Sequence, residues 1–185
     1  TKAMVKNDGS QSNEQAFWND FCTRFGEKAR LDEPLFDEYY HNEFQQVQTA
    51  CGFDPAARKA VDAVKEKGLR TALATNPIFP AIATQSRARW AGLDTAEFEL
   101  YTTYENSCHC KPNLAYYQDI LSKMQLQPEN CLMVGNDVGE DMVAGKLGMQ
   151  VYLVTDCLIN KTGESIEKYP HGTLEEFAAW VRENL

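Results

Sequence analysis

The sequence has few of the residues that break regular structure, with 11 glycines and 7 prolines among 185 residues. It also lacks any run of lysine and arginine, and its formal net charge is −9. The low content of glycine and proline argues against a largely disordered chain. The lack of a basic run means that the sequence shows no sign of the basic surface that binds nucleic acid. No apolar stretch approaches the ~20 residues that span a bilayer, and no signal-peptide pattern is present. We therefore expect neither a nucleic-acid partner nor a membrane partner.

Cysteine is present but not arranged as a disulfide framework. Free thiols beside apolar runs behave as small hydrophobic side chains. Because disulfides persist mainly outside the cytoplasm, scattered cysteines predict a cytoplasmic protein. The length suffices for one well-cored domain and a small accessory one. The six cysteines are Cys22, Cys51, Cys108, Cys110, Cys131 and Cys157.

The pattern from about residue 13 to residue 50 predicts helices and no strand. Aromatic residues recur there at spacings of three and four, which is the period of one helix face. Cys51-Gly52-Phe53 then forms a plausible junction. We therefore assign residues 1–52 to a small helical domain and residues 53–185 to a second domain. The aromatic positions are Phe17, Trp18, Phe21 and Phe25, then Phe36, Tyr39, Tyr40 and Phe44.

From residue 53 onward, short apolar runs alternate with helical patterns. This alternation predicts an α/β fold in which helices cover both faces of a parallel sheet. Such sheets bind ligands at the carboxyl ends of their strands, so the polar residues that follow each run are candidates for function. The expected strands are Leu69–Thr75, Glu99–Tyr104, Cys131–Val134 and Val151–Val154, and a capping box of Thr173 and Glu176 opens the last helix.

Three polar segments follow the predicted strands or precede a helix. Thr75-Asn76 offers a hydroxyl and backbone amides to a phosphate oxygen, although the same residues are common in ordinary turns. Lys111 can neutralise a transferring phosphoryl group, although most lysines are solvated surface charges. The acids of the loop Gly135–Asp141 need compensation by a cation or by hydrogen-bond donors. A helix cap could account for one of these acids but not for all of them.

In their order and spacing, Thr75-Asn76, Lys111-Pro112 and Gly135-Asn136-Asp137…Asp141 resemble motifs two, three and four of the haloacid dehalogenase superfamily. The likeness covers roughly residues 54–157. It implies an α/β fold with a Rossmann-like parallel sheet core and a small α-helical cap. Residues 1–52 would then be part of the cap, and residues 53–185 the core without its first strand. The resemblance also implies Mg²⁺ as cofactor and an aspartyl-phosphate intermediate.

The resemblance implies a role for each matched residue. Thr75 and Lys111 would be catalytic, and both would bind the substrate phosphate together with Asn76. Asp137 would ligate Mg²⁺, and Asp141 would orient Lys111 or ligate the ion through water. Members of the superfamily often carry an aspartate directly after the glycine, so Asn136 competes with Asp137 for the metal role.

One motif of the superfamily has no match in this sequence. The Asp-x-Asp-Gly-Thr segment, which supplies the nucleophile, is absent. The nearest segment, Asn7-Asp8-Gly9-Ser10, places Lys6 at the nucleophile's position, and its composition predicts a turn. We therefore expect the nucleophile strand to lie outside these 185 residues, and the chain alone to be catalytically inactive.

The leading hypothesis is a Mg²⁺-dependent phosphatase that hydrolyses a small phosphorylated metabolite. One alternative is a binding or regulatory protein that has the fold but no nucleophile. Another is a dehalogenase, which would use the same nucleophile without a cation. The acids Asp137 and Asp141 favour the phosphatase over the dehalogenase, because halide chemistry needs no metal. The sequence gives no indication of the oligomeric state.

Overall fold

The structure is a computed structural model that describes residues 1–185. The residues form two compact units, one of Thr1–Asp54 with Ala72–Cys110 and one of Pro55–Thr71 with Lys111–Leu185. The domain boundary expected at residue 52 stays a prediction. No helix combines the length and the apolar character that crossing a membrane requires.

Seven α-helices and five β-strands make up the regular structure. The helices are α1 (Lys2–Val5), α2 (Asn13–Phe25), α3 (Glu33–His41), α4 (Ala56–Glu66), α5 (Ala81–Trp90), α6 (Leu114–Met124) and α7 (Leu174–Asn184). The strands are β1 (Ala72–Leu73), β2 (Leu100–Tyr101), β3 (Leu132–Gly135), β4 (Gln150–Val154) and β5 (His171–Gly172). Short 3₁₀ helices cover Glu27–Asp32, Glu43–Ala50, Thr95–Glu97, Pro128–Asn130, Met142–Leu147 and Ile166–Lys168.

Helix α2 begins at a capping box in the first unit. The Ser12 hydroxyl accepts a hydrogen bond from the Gln15 backbone N–H at 3.1 Å, and the Gln15 side chain accepts one from the Ser12 N–H at 3.0 Å. These bonds satisfy donors that the first turn of a helix leaves without partners. The helical prediction for the early residues is confirmed, and no strand occurs before Ala72.

Strands β1 and β2 form a two-stranded parallel sheet in the first unit, with Ala72 opposite Leu100 and Leu73 opposite Tyr101. Helix α5 connects them, as a parallel pair requires. The strand predicted over Leu69–Thr75 is shorter than expected, because only two of its residues pair with β2. Beyond the pairing, the Thr102 hydroxyl donates to the Thr75 carbonyl oxygen at 2.7 Å.

The second unit contains a three-stranded parallel sheet in the order β3–β4–β5. Alternate side chains of the central strand β4 enter opposite cores, since successive residues of a strand point to opposite faces. Tyr152 and Val154 pack in one cluster with residues of α4 and α7. Leu153 packs in another with Val138 and Met142. The predicted α/β class with parallel strands covered on both faces is therefore confirmed.

Candidate active site

A buried ion pair lies at the centre of the candidate site in the second unit. The Lys111 Nζ donates to Asp141 Oδ1 at 2.7 Å. Lys111 is 7% exposed and Asp141 5% exposed, so both charges are almost fully removed from water. Desolvating two charges costs several kcal/mol per ion, and the geometry must be good for their attraction to offset it. Burying this pair therefore costs free energy, and its two residues come from two of the three predicted motifs.

Local structure places Lys111 and Asp141 at the starts of two helical segments. Lys111 precedes α6, whose N-cap Asn113 accepts a hydrogen bond from the Ala115 N–H at 3.0 Å. Asp141 is itself the N-cap of the 3₁₀ helix Met142–Leu147. Near Lys111, the Tyr116 ring centroid lies 5.8 Å from the ammonium nitrogen, which adds a weak cation–π contact.

In the loop after β3, backbone N–H groups donate hydrogen bonds to the carboxylates of two aspartates. Asp141 Oδ2 accepts from the Asp137 N–H at 3.0 Å. Asp137 Oδ1 accepts from the N–H groups of Gly139 and Glu140, both at 2.9 Å. Gly135 permits this arrangement, because a Cβ at this position would lie 2.2 Å from Asp141 Oδ2. The glycine thus lets a carboxylate lie directly against the end of the strand.

Asn136 and the neighbouring backbone join this loop to the segment after β4. The Asn136 Nδ2 donates to the Cys157 carbonyl oxygen at 2.7 Å. The Ile159 N–H donates to the Asn136 carbonyl oxygen at 2.8 Å, and the Val138 N–H donates to the Ile159 carbonyl oxygen at 2.9 Å. None of these bonds uses Asn136 Oδ1 or Asp137 Oδ2. Two hard oxygen atoms therefore remain as possible ligands at the carboxyl end of β3.

The chemistry of these oxygen atoms fits Mg²⁺. In proteins this ion is commonly bound by one or two carboxylates and completes its coordination with water and substrate phosphate. No group of three or more His, Cys, Asp or Glu side chains is positioned to hold a metal ion. A Mg²⁺ ion at this loop would accordingly rely on Asp137, on Asn136 and on non-protein ligands. The metal roles of Asp137, Asn136 and Asp141 stay predictions.

Tyr117 is a residue of this site that the sequence did not reveal. Its hydroxyl donates to the Glu140 carbonyl oxygen at 2.5 Å, which ties α6 to the acidic loop. Burial, and then the neighbouring Asp141 carboxylate, raise the pKa of the Tyr117 hydroxyl above its ordinary value. Tyr117 therefore stays neutral and acts as a donor. Its position on the apolar stripe of α6 signalled only packing.

Thr75 and Asn76 belong to the first unit. They follow β1, and the Ile78 N–H donates to the Asn76 carbonyl oxygen at 2.9 Å, which turns the chain sharply. The structure thus brings Lys111, Asn136, Asp137 and Asp141 together in one unit and places the Thr75-Asn76 loop in the other. The phosphate-binding and catalytic roles of Thr75, Asn76 and Lys111 stay predictions.

Asn13 holds the loop after Thr75-Asn76, and sequence patterns gave no sign of this role. The side chain is fully buried, and its Nδ2 donates to the Pro77 carbonyl oxygen at 3.1 Å and to the His109 carbonyl oxygen at 3.4 Å. Its Oδ1 accepts from Asn7 Nδ2 at 2.9 Å. A polar residue at the start of a helix is usually solvated, so no local signal distinguished this one.

The turn predicted at Asn7–Ser10 is confirmed. Helix α1 ends at Val5, and the Ser10 N–H donates to Asp8 Oδ1 at 3.0 Å. Gly9 has a φ of +91°, and a Cβ there would lie 2.6 Å from His109 Nε2. Both the left-handed backbone and the close imidazole favour glycine at this position.

Comparison with known proteins identifies the family. The family model for haloacid dehalogenase-like hydrolases matches residues 8–148. The chain belongs to this family. The motif resemblance of Thr75-Asn76, Lys111-Pro112 and Gly135–Asp141 to the haloacid dehalogenase superfamily is therefore confirmed at the level of the family.

Individual relatives support the same placement. The glyceraldehyde 3-phosphate phosphatase of Methanothermobacter thermautotrophicus is 30% identical over 148 residues, which are 79% of this chain. The chain spans 62% of the length of that relative. Two crystal structures share the fold. A predicted phosphoglycolate phosphatase from Haemophilus somnus has a TM-score of 0.59 at 16% identity, over 96% of this chain and 80% of its own. CbbY from Rhodobacter sphaeroides in complex with phosphate has a TM-score of 0.55 at 15% identity, over 71% and 60%.

Proposed function

We propose that the protein is a Mg²⁺-dependent phosphatase that acts on a small phosphorylated metabolite. The buried Lys111–Asp141 pair, next to the Asn136-Asp137 loop, carries this proposal. It supplies a fixed positive charge beside hard oxygen ligands, which is the combination that phosphoryl transfer requires. Membership of a hydrolase family and the likeness to a sugar-phosphate phosphatase support the same reaction class.

In this proposal each side chain has a separate role in binding the phosphoryl group. The Lys111 ammonium neutralises charge on the phosphoryl oxygens and on the attacking carboxylate. Asp141 orients Lys111 through their 2.7 Å hydrogen bond. The Thr75 hydroxyl and the Asn76 amide donate to phosphate oxygens. Asp137, with Asn136, holds Mg²⁺, which supplies further charge neutralisation when bound.

The nucleophile of the proposed reaction is an aspartate from the family's first motif, which none of the 185 residues matches. Attack of its carboxylate on phosphorus breaks the bond between phosphorus and the ester oxygen and forms an aspartyl-phosphate, and the second aspartate of the same motif gives the leaving oxygen the proton that makes it an alcohol. Water then hydrolyses this acyl phosphate, releases inorganic phosphate and restores the carboxylate. Mass spectrometry of the protein from its source tests this part, because a segment that carries the nucleophile requires a mass above 20.9 kDa.

Hydrolysis of a generic aryl phosphate by the polypeptide that includes the nucleophile segment tests the metal assignment. We expect turnover to require Mg²⁺ and to stop when a chelator removes it. Asp137→Ala should lower kcat/KM by roughly 100-fold or more, because it removes the proposed carboxylate ligand. Asn136→Ala measures the contribution of the competing ligand. Metal-independent turnover would contradict the metal assignment.

A matched pair of lysine variants tests the role of Lys111. Lys111→Ala should cost roughly 10²–10³ in kcat, as the loss of a charge-stabilising donor typically does. Lys65→Ala is the control, because Lys65 is an exposed residue of α4 in the same unit. Equal effects of the two variants would remove Lys111 from the site. Phosphate-ester binding without turnover by the longer polypeptide would favour a regulatory protein.

A further inference from the structure

The first unit contains a cavity of about 180 Å³ whose walls are mainly aromatic. Helices α2 and α3 contribute Phe17, Trp18, Phe36 and Tyr40, and Tyr104 completes the wall. The Phe36 ring stands nearly perpendicular to that of Trp18, at 69° with centroids 5.2 Å apart. A cavity of about 150 Å³ accommodates benzene, so this one suits a guest of six or seven non-hydrogen atoms.

One carboxylate lines the same cavity. The exposed residue Asp37 lines it, and its carboxylate makes no ion pair or hydrogen bond. Burial, and then the carboxylates of Glu105 and Glu33, raise the pKa of nearby Glu14. Burial, and then Glu14 and Glu105, raise the pKa of the Tyr104 hydroxyl. Burial contributes most to both shifts, and the neighbouring carboxylates add to it.

Trp18 is a buried residue of the cavity wall, with 2% of its side chain exposed. Its indole N–H is directed to the Tyr104 hydroxyl. The Arg30 guanidinium lies 4.8 Å from the centroid of the indole ring, which is a cation–π contact within the chain.

We propose that the cavity binds a small organic cation, an ammonium group with methyl or methylene substituents and a nearby hydroxyl oxygen. Aromatic faces attract such cations, and the Asp37 carboxylate supplies the complementary charge.

The position of the cavity relates it to the proposed reaction. Ile78, Phe79 and Pro80 line it, and they follow the predicted phosphate-binding residues Thr75-Asn76 directly in the chain. Resting on the proposed function, the cation is then the alcohol part of the substrate, which makes the substrate a phosphate monoester of an amino alcohol. The wall residues select this alcohol by charge as well as by size.

Calorimetric titration of the 185-residue chain with two phosphate-free probes tests the cavity. Choline and 3,3-dimethylbutan-1-ol have the same shape and differ in the charged nitrogen. We expect choline to bind roughly tenfold more tightly, because aromatic faces attract a desolvated cation and not its neutral analogue. Equal affinities for the two probes, or no binding of choline, would overturn the proposal.

A matched pair of carboxylate variants locates the binding. Asp37→Asn should weaken choline binding by about threefold to fivefold, as expected for an exposed charge pair, and leave the neutral alcohol unaffected. Asp20→Asn on α2 is the control, since Asp20 is paired with Arg24 and does not line the cavity. Identical effects of the two variants on choline would place the binding elsewhere and overturn the assignment.

The two proposals can fail separately. Choline contains no phosphorus, so its titration depends only on the cavity, whereas aryl phosphate hydrolysis depends only on the phosphatase site. With active longer polypeptide, kcat/KM for phosphocholine should exceed that for 3,3-dimethylbutyl phosphate by roughly the tenfold ratio seen in binding. Equal values would overturn the assignment of the cation as the alcohol part of the substrate.

Discussion

The charges of Lys111 and Asp141 are buried together, and each lowers the free-energy cost of burying the other. Asp141 Oδ1 faces the ammonium and Oδ2 accepts the Asp137 N–H, so both carboxylate oxygens have donors. Buried pairs of this kind add little net stability compared with apolar residues of similar size. The free energy of unfolding alone therefore does not account for this pair.

The coupling between these two residues is testable at the residue scale. Lys111→Met leaves the Asp141 carboxylate buried without its counter-ion and should lower the free energy of unfolding by about 3–5 kcal/mol. The double variant Lys111→Met with Asp141→Asn removes both charges and should lose less than the sum of the single variants. Urea denaturation of all four proteins measures this, and additive effects would show that the pair is not coupled.

At the scale of elements, two of the seven α-helices begin at capping boxes, α2 at Ser12 and α7 at Thr173. At α7 the Thr173 hydroxyl accepts from the Glu176 N–H at 3.2 Å, and Glu176 Oε2 accepts from the Thr173 N–H at 2.7 Å. Because α7 carries Phe177 and Val181 into the core, the position where this helix starts determines how the core packs.

Removing the cap of α7 should destabilise the second unit. Thr173→Ala eliminates the side-chain acceptor and should lower the free energy of unfolding by about 1 kcal/mol. Ser165→Ala is the matched control, because Ser165 is an N-cap whose side chain makes no cap hydrogen bond. Chemical denaturation of both variants is the measurement, and an equally large loss in the control would contradict the role of the capping box.

The carboxylate of this box adds a pH dependence. Hydrogen bonds from the Thr173 backbone and side chain lower the pKa of Glu176 below its ordinary value of 4.5. A lowered folded-state pKa stabilises the fold above the unfolded-state pKa, and this contribution disappears as the pH falls through the folded-state pKa. Compared with Glu176→Gln, the wild-type chain should lose stability more steeply between pH 5 and pH 3. If the melting temperatures of the two proteins fall with pH at the same rate, this contribution is excluded.

At the scale of the whole molecule, negative charge dominates. The formal net charge of −9 produces self-repulsion in the folded state. Glu14 is a local instance, since burial and then Glu105 and Glu33 raise its pKa. A raised folded-state pKa means that ionised Glu14 opposes folding at neutral pH, and that this cost vanishes once the pH is below the unfolded-state value of about 4.5.

Glu14→Gln should therefore raise the melting temperature at pH 7 and leave it unchanged near pH 4. Adding salt should reduce the difference at pH 7, because salt screens interactions between partly exposed charges. Glu38→Gln, at an exposed position of α3, is the control and should change little. A stabilisation by Glu14→Gln that persists at pH 4 would show that electrostatic repulsion is not its cause.

The amino-acid sequence by itself determined the features that depend on neighbours within a few residues. The spacing of Phe17, Trp18 and Phe21 predicted a helix, and Thr173 with Glu176 predicted the start of α7. The apolar run Cys131–Val134 predicted β3 and therefore the acidic loop at its end. Periodicity and capping are local, because they arise from hydrogen bonds and side-chain directions within one or two turns.

Only the tertiary structure decided which distant residues meet. Lys111 and Asp141 are 30 positions apart, and their pairing depends on how α6 packs against the 3₁₀ helix Met142–Leu147. The buried bonds of Asn13, whose partners lie 64 and 96 positions away, and the aromatic cavity around Trp18 have the same origin. A helix-forming pattern specifies which face is apolar, but the shape of the space between packed faces depends on every side chain that lines it.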